Sequence, residues 1–234
     1  MKTVLISGAS AVGKTALVKH LIPYFKQANM KPCICKIDCL ATNDDEIYET
    51  LHVPYVIGLS NDICPDHFLV SNLYELNHWA NDLNADLLCI ETAGLCSRCS
   101  PATNKTIHIC VADCTASMKT PEKLGPMLSQ ADAIVLTKVD LVSLAEQEIM
   151  AYQISKINPT ATIFFIDGVV GYGVELIANY IKTIQLPNSD EEHRLRHTML
   201  SGVCSYCIGE TRIGNAFQQG VVGKIDFRKA VTYE

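Results

Sequence analysis

Short apolar runs of strand length alternate with stretches of helical periodicity from residue 2 to residue 185. The β-rich runs predict strands near 2–7, 32–38, 54–58, 86–91, 107–112, 132–137 and 161–166. Helical patterns fit 14–28, 43–51, 68–84, 121–130, 143–157 and 173–185. In the 68–84 segment Phe68, Leu69, Leu73, Leu76, Trp79, Ala80 and Leu83 fall on one stripe, the spacing of a helix laid on a sheet. Such alternation predicts an α/β fold: a mostly parallel sheet flanked by helices on both faces, with ligands at the carboxyl ends of the strands. After Leu186-Pro187 the pattern changes. Residues 188–198 are polar and charged, and the glycine-dotted remainder carries Cys204-Ser205-Tyr206-Cys207. This predicts a main domain over 1–186 and a short cysteine-containing C-terminal appendage over 187–234. The appendage is too short for a large core of its own and would gain from a metal or from docking on the main domain.

Composition narrows the class. With 234 residues, 48% of them hydrophobic, a buried core is within reach. A net charge of -6 argues against non-specific nucleic-acid or anionic-membrane binding. The longest apolar runs are strand-length, so no membrane span is expected. The opening MKTVLISGAS reads as a strand entering a phosphate loop rather than as a signal peptide, which implies a cytoplasmic protein. Eleven cysteines, an odd number, then read as thiols rather than as a disulfide framework. Cys89 and Cys110 lie in apolar strand patterns and read as core. Cys33 and Cys35 share one strand face, as fillers or as a redox pair. Cys64, Cys96, Cys99, Cys204 and Cys207 sit in polar, turn-rich surroundings and call for another explanation.

Gly8-Ala9-Ser10-Ala11-Val12-Gly13-Lys14-Thr15 fits the phosphate-loop pattern and stands between an apolar strand and a helix, as that motif requires. Its backbone N–H groups and the helix dipole would cradle phosphates. Lys14 would reach the β- and γ-phosphates and assist in-line attack by water, and the Thr15 hydroxyl would hold Mg²⁺. Asp38 and Glu91, each at a predicted strand end, are the candidate carboxylates for Mg²⁺; a helix cap or a solvated acid is the alternative for each. Asp38 is preferred over Glu91 for orienting the attacking water. Thr137-Lys138-Val139-Asp140 is a variant of Asn-Lys-x-Asp at a strand end. Its Asp would accept from the guanine N1–H and amine while the Lys stem packs on the ring, favouring GTP. The glycine loop beginning at Gly168 would contact the base from another side.

The stretches "GASAVGKT", "ETAG", "CTASMKTPEKLGPMLSQADAIVLTKVDL" and the Gly168 loop resemble GTPases of the CobW/HypB/UreG type over residues 1–185. The resemblance implies GTP with Mg²⁺ as cofactors. It implies delivery of nickel, cobalt or another metal to a client metalloenzyme or cofactor-assembly protein. It also implies a homodimer governed by the nucleotide. It assigns Gly8, Gly13, Lys14 and Thr15 to phosphates and Mg²⁺, Glu91 and Gly94 to the switch, and Lys138 and Asp140 to guanine. The family's metal motif, Cys-His or Cys-Pro-His, corresponds here to Cys64-Pro65-Asp66-His67, with Asp66 inserted. The alternative is a turn with Asp66 capping the next helix. Cys96 with Cys99, and Cys204 with Cys207, form two CxxC pairs. Together they would suit a Cys₄ zinc site or an iron–sulfur cluster, within one chain or across a dimer. His20, His52, His78 and His108 read as ordinary histidines. Two other functions stay open: a nucleotide-dependent iron–sulfur redox protein passing electrons to a partner, and a small-molecule kinase. Redox proteins of that kind carry an extra lysine where this chain has Ala9.

Overall fold

The structure is a computed structural model, described here for residues 1–94, 99–186, 191–199, 205–220 and 222–233. In chain order its elements are β1 (Lys2–Gly8), α1 (Lys14–Gln27), β2 (Pro32–Asp38), α2 (Asp45–Leu51), β3 (Tyr55–Leu59), α3 (Pro65–Asp82), β4 (Leu87–Glu91), β5 (Thr106–Asp113), α4 (Thr120–Lys123), α5 (Gly125–Ser129), β6 (Ala133–Thr137), α6 (Leu144–Ile157), β7 (Thr162–Phe165) and α7 (Val174–Thr183). Among the described residues the seven strands form one parallel sheet, ordered β3-β2-β4-β1-β5-β6-β7.

The central strands are buried on both faces, as parallel strands under two helical layers must be. Leu87–Glu91 and Ala133–Thr137 are buried at every position. Period two then sorts the side chains. Val4 and Ile6 pack with α1 and α7, while Leu5 faces the opposite layer with Phe68, Leu69, Leu73 and Leu76 of α3. A third cluster joins Met127 and Leu128 of α5 to Met150 and Ile154 of α6.

Local chemistry sets the helix ends. Ser143 and Glu146 form a reciprocal capping box at the start of α6. The helix expected over 121–130 is two short ones, because Pro126 supplies no N–H and Gly125 takes φ 51°. Helix α3 begins three residues earlier than its apolar stripe suggested. Pro65 occupies the first turn, where its missing N–H costs nothing, and Cys64 rather than Asp66 is the N-cap.

Much of the described part of 191–233 lies on the α3 face, while its end turns to the β3 edge, where Val231 bridges Tyr55 and Tyr233 meets the His52 ring. Leu195, Met199, Tyr206, Ile213 and Ile225 join the same buried cluster as Phe68 and Leu69. Polar clamps hold them there. Asn72, fully buried in α3, donates to the Gly223 carbonyl (3.0 Å) and accepts from the Ile225 N–H (2.9 Å). Arg196 forms a fork on Asp132 (2.8 and 2.9 Å) and donates to the carbonyls of Thr103, Thr106 and Gln130. Among the described residues no helix is long and apolar enough to cross a membrane.

Candidate functional site

The strand ends bring Gly8, Asp38 and Glu91 to one edge of the sheet, around an open cleft of about 390 Å³. Its floor is the loop from Gly8 to Thr15. Gly8 has φ 147°, and a Cβ there would sit 2.3 Å from the Val111 carbonyl oxygen, so this position requires glycine. Gly13, with φ 95°, turns the chain into α1. Lys14 is buried and lies along the loop, donating to the carbonyls of Gly8 (3.0 Å) and Ala9 (2.7 Å). Burial holds its ammonium below the usual lysine range. The Thr137 hydroxyl donates to the Val12 carbonyl (2.6 Å), tethering the loop to β6. Ser10 and Ala11 line the cleft.

Glu91, 1% exposed, is the hub of the cleft. Its Oε1 accepts from Thr15 (2.7 Å) and from the Lys36 ammonium (2.5 Å), and its Oε2 accepts from the Tyr48 hydroxyl (2.6 Å). Lys36 also pairs with Asp44 (2.7 Å), and the Thr15 hydroxyl lies 3.4 Å from the same Asp44 oxygen. Asp38 lines the cleft too, and its carboxylate accepts from the Cys39 N–H (2.8 Å). Sequence reasoning missed Lys36, Asp44 and Tyr48. The signal for Lys36 was present: it is the one charge inside the apolar run Cys33–Ile37, and strand register sets it opposite Glu91.

On the far side of the loop, Lys138 has φ 56° and pairs with Asp113 (2.5 Å). Asp140 stands exposed in a short 3₁₀ turn, Val139–Leu141. The Gly168 loop reaches α1, with its carbonyl 3.1 Å from His20 Nε2. His20 therefore positions this loop. Of the histidines read as ordinary, His108 is a core residue, bonded to the Ser7 hydroxyl (2.6 Å) between β1 and β5.

Beyond Glu91 the chain stays against the phosphate loop. The Thr92 N–H donates to the Ile6 carbonyl (3.1 Å). Gly94 has φ 76°, and a Cβ there would fall 1.9 Å from the Gly8 carbonyl oxygen and 2.8 Å from Lys14 Nζ. Gly94→Ala is therefore expected to lift this segment off the loop. The left-handed backbone alone makes the cost roughly 1–2 kcal/mol, measurable by urea denaturation. An unchanged midpoint would rule out the contact.

Cys99, five residues after Gly94 in the chain, belongs to a thiol cluster. One ligand atom each from Cys64, Asp66 and Cys99 lies within 4.8 Å of the others. Cys99 Sγ is 3.7 Å from Asp66 Oδ2. Asp66 is 4% exposed. Burial, reinforced by the neighbouring Cys64 thiol, pushes its carboxyl up to about 7. On the next residue of α3, His67 Nδ1 is 3.0 Å from Cys207 Sγ, which comes from the C-terminal segment. Burial lowers the His67 imidazole, favouring the neutral ligand form. Three distant parts of the sequence thus meet at the start of α3. Cys96 and Cys204 lie outside the described residues. Cys33, Cys35, Cys89 and Cys110 are buried in strands, with thiols held well above the ordinary range by burial. They are core fillers rather than reactive groups.

A glycine-rich loop closing on a helix N-terminus, at the carboxyl end of a parallel sheet, defines a P-loop nucleotide-binding α/β protein. More narrowly, the nucleotide-binding domain of the CobW/HypB/UreG family matches residues 2–165, and the chain belongs to that family. It is 40% identical over 227 residues to an uncharacterized protein of Methanocaldococcus jannaschii, covering 97% of both chains. It is 29% identical over 191 residues to the urease accessory protein UreG of Photorhabdus laumondii, covering 75% of this chain and 90% of that one. Its fold is similar to the hydrogenase maturation factor HypB from Archaeoglobus fulgidus (TM-score 0.63, 23% identity, 78% of this chain and 89% of that one). It is also similar to HypB from Helicobacter pylori in complex with nickel (TM-score 0.62, 17% identity, 78% and 86%).

Proposed function

We propose that this protein binds and hydrolyses GTP as a slow switch, and uses the switch to take up and hand over a metal ion during maturation of a metalloenzyme or metallocofactor. The observation that carries this reading is the grouping of Cys64, Asp66 and Cys99 within 4.8 Å, beside a second contact between His67 and Cys207 on the next residue of α3, with Cys99 only five residues after Gly94 in the chain. The family relatives named as a urease accessory protein and a hydrogenase maturation factor support the class of client. A homodimer in the cytoplasm is the working form we infer.

In this reading Lys14 leaves the Gly8 and Ala9 carbonyls for the β- and γ-phosphates. A hydroxyl and three carboxylates in one cleft (Thr15, Asp38, Asp44 and Glu91) are the oxygen donors that Mg²⁺ takes. When bound, Mg²⁺ offsets charge on the phosphates. Asp38 orients the attacking water. Asp140 accepts from the guanine N1–H and amine, the stem of Lys138 packs on the ring, and the Gly168 loop closes the other edge. Thr137 keeps the phosphate loop in register with these groups through Val12. Loss of the γ-phosphate moves Gly94 away from the phosphate loop. Cys99 moves with it, while Cys64 and His67 stay on α3. The ligand set therefore changes with the nucleotide. Thiolate and imidazole donors suit zinc or nickel as the ion transported.

The test is equilibrium dialysis of zinc and nickel against protein purified without oxygen, with a GTP analogue, with GDP and without nucleotide. We expect affinities at least about fivefold apart between the analogue and GDP, the lower end of ordinary coupling between sites. Cys99→Ala and Cys207→Ala are each expected to weaken binding at least about tenfold, since even outer-sphere partners are worth that much. Equal affinity in all three nucleotide states refutes the switch. Iron with acid-labile sulfide in place of zinc or nickel turns the reading towards the iron–sulfur redox protein.

A further inference from the structure

Lys36 is out of place by every ordinary rule. It sits in the middle of an apolar strand, 4% exposed, where an ammonium is costly unless it is paired. Its partners are Glu91 Oε1 (2.5 Å) and Asp44 Oδ2 (2.7 Å). These are the same two oxygens that the Thr15 hydroxyl approaches, at 2.7 and 3.4 Å. One ammonium and one hydroxyl therefore share a pair of carboxylate oxygens at the helix N-terminus below the phosphate loop. Apolar residues in place of both Lys36 and Glu91 would fill the interior more cheaply. The neighbouring Lys14 already serves the loop, so phosphate contact by itself does not call for a second buried lysine.

We propose that Lys36 is a built-in cation of the nucleotide cleft, standing in for Mg²⁺ on Glu91 and Asp44 and giving way to it. This rests on the nucleotide-binding reading above. Three carboxylates, Asp38, Asp44 and Glu91, line the cleft. Uncompensated, they would repel a nucleoside diphosphate. The Lys36 ammonium neutralises part of that charge permanently, so the chain retains nucleotide when Mg²⁺ is scarce. Glu91 and Asp44 would also hold Mg²⁺, whose double charge would compete with the Lys36 ammonium for the same oxygens. The lysine is thereby a specificity element. It sets how strongly nucleotide affinity depends on the divalent ion.

The experiment is titration of the full chain with a fluorescent MANT-GDP, in excess Mg²⁺ and in EDTA. The wild-type affinity is expected to fall less than about tenfold on removing Mg²⁺, and that of Lys36→Met at least about 100-fold, the worth of one or two charge-assisted bonds. A loss of about 100-fold for wild type in EDTA overturns the proposal without needing the variant, as does an unchanged Mg²⁺ dependence in a folded Lys36→Met chain. Absence of MANT-GDP binding under both conditions overturns the nucleotide reading itself, and the role of Lys36 with it.

Discussion

Replacing Glu91 with glutamine is expected to destabilise the protein by roughly 3–5 kcal/mol, the usual cost of breaking a buried ion pair from one side. The side chain keeps its shape, so no cavity enters the effect. What changes is the supply of acceptors. Glu91 now receives Thr15 and Lys36 on one oxygen and Tyr48 on the other. An amide has only one oxygen to offer. Either the Tyr48 hydroxyl, fully buried, or the Lys36–Thr15 pair must then face an NH₂ group and lose its partner. Lys36 would retain Asp44 alone, which is partly exposed. Urea denaturation of the nucleotide-free chain measures the change. A midpoint within about 1 kcal/mol of wild type would mean that the network relaxes and that Glu91 is not its hub.

The second large effect belongs to Asp66. Between pH 4 and pH 7 the metal-free protein is expected to lose about 4 kcal/mol of stability through this one carboxyl. In the unfolded chain it ionises near its ordinary value of 3.8. In the fold, burial and then the Cys64 thiol hold the proton on until about 7. The stabilising contribution is therefore fully present at low pH and disappears as pH rises through the folded value. Asp66→Asn removes the titration and should flatten the pH dependence of the urea midpoint, measured with chelator and reductant present. Parallel curves for the two proteins would overturn the assignment. The same chemistry bears on metal uptake. A cation beside Cys64, Asp66 and Cys99 has to displace protons from all three, so its affinity should rise with pH over the same range.

Some of this was readable along the chain. The alternation of apolar runs and helical stripes encodes the elements because the periods 2 and 3.6 are local consequences of backbone geometry. The phosphate loop was readable for a similar reason. Gly8, Gly13 and Lys14 lie within a few residues of one another, and their conformations follow from missing Cβ atoms and a nascent helix. Even the burial of Phe68, Leu69, Leu73 and Leu76 followed from spacing alone.

The candidate site divides differently. Asp66 had a helix cap as its alternative reading, because Asp near a proline turn often is one. Pro65 instead took the first helical turn, and Asp66 was carried inward. Lys36 and Glu91 are 55 residues apart, and only the register of β2 on β4 makes them neighbours. Cys207 meets His67 across 140 residues because Asn72 and Arg196 clamp the C-terminal segment along α3 and the strand edge. The sequence by itself determined the α/β alternation, the loop that cradles phosphate and the chemical character of each candidate ligand, since these depend on neighbours within a turn or two. The tertiary structure alone decided that Cys64 and Cys99 lie together and what holds Glu91. Those contacts arise from strand register and from packing between distant segments, which leave no periodic trace in the chain.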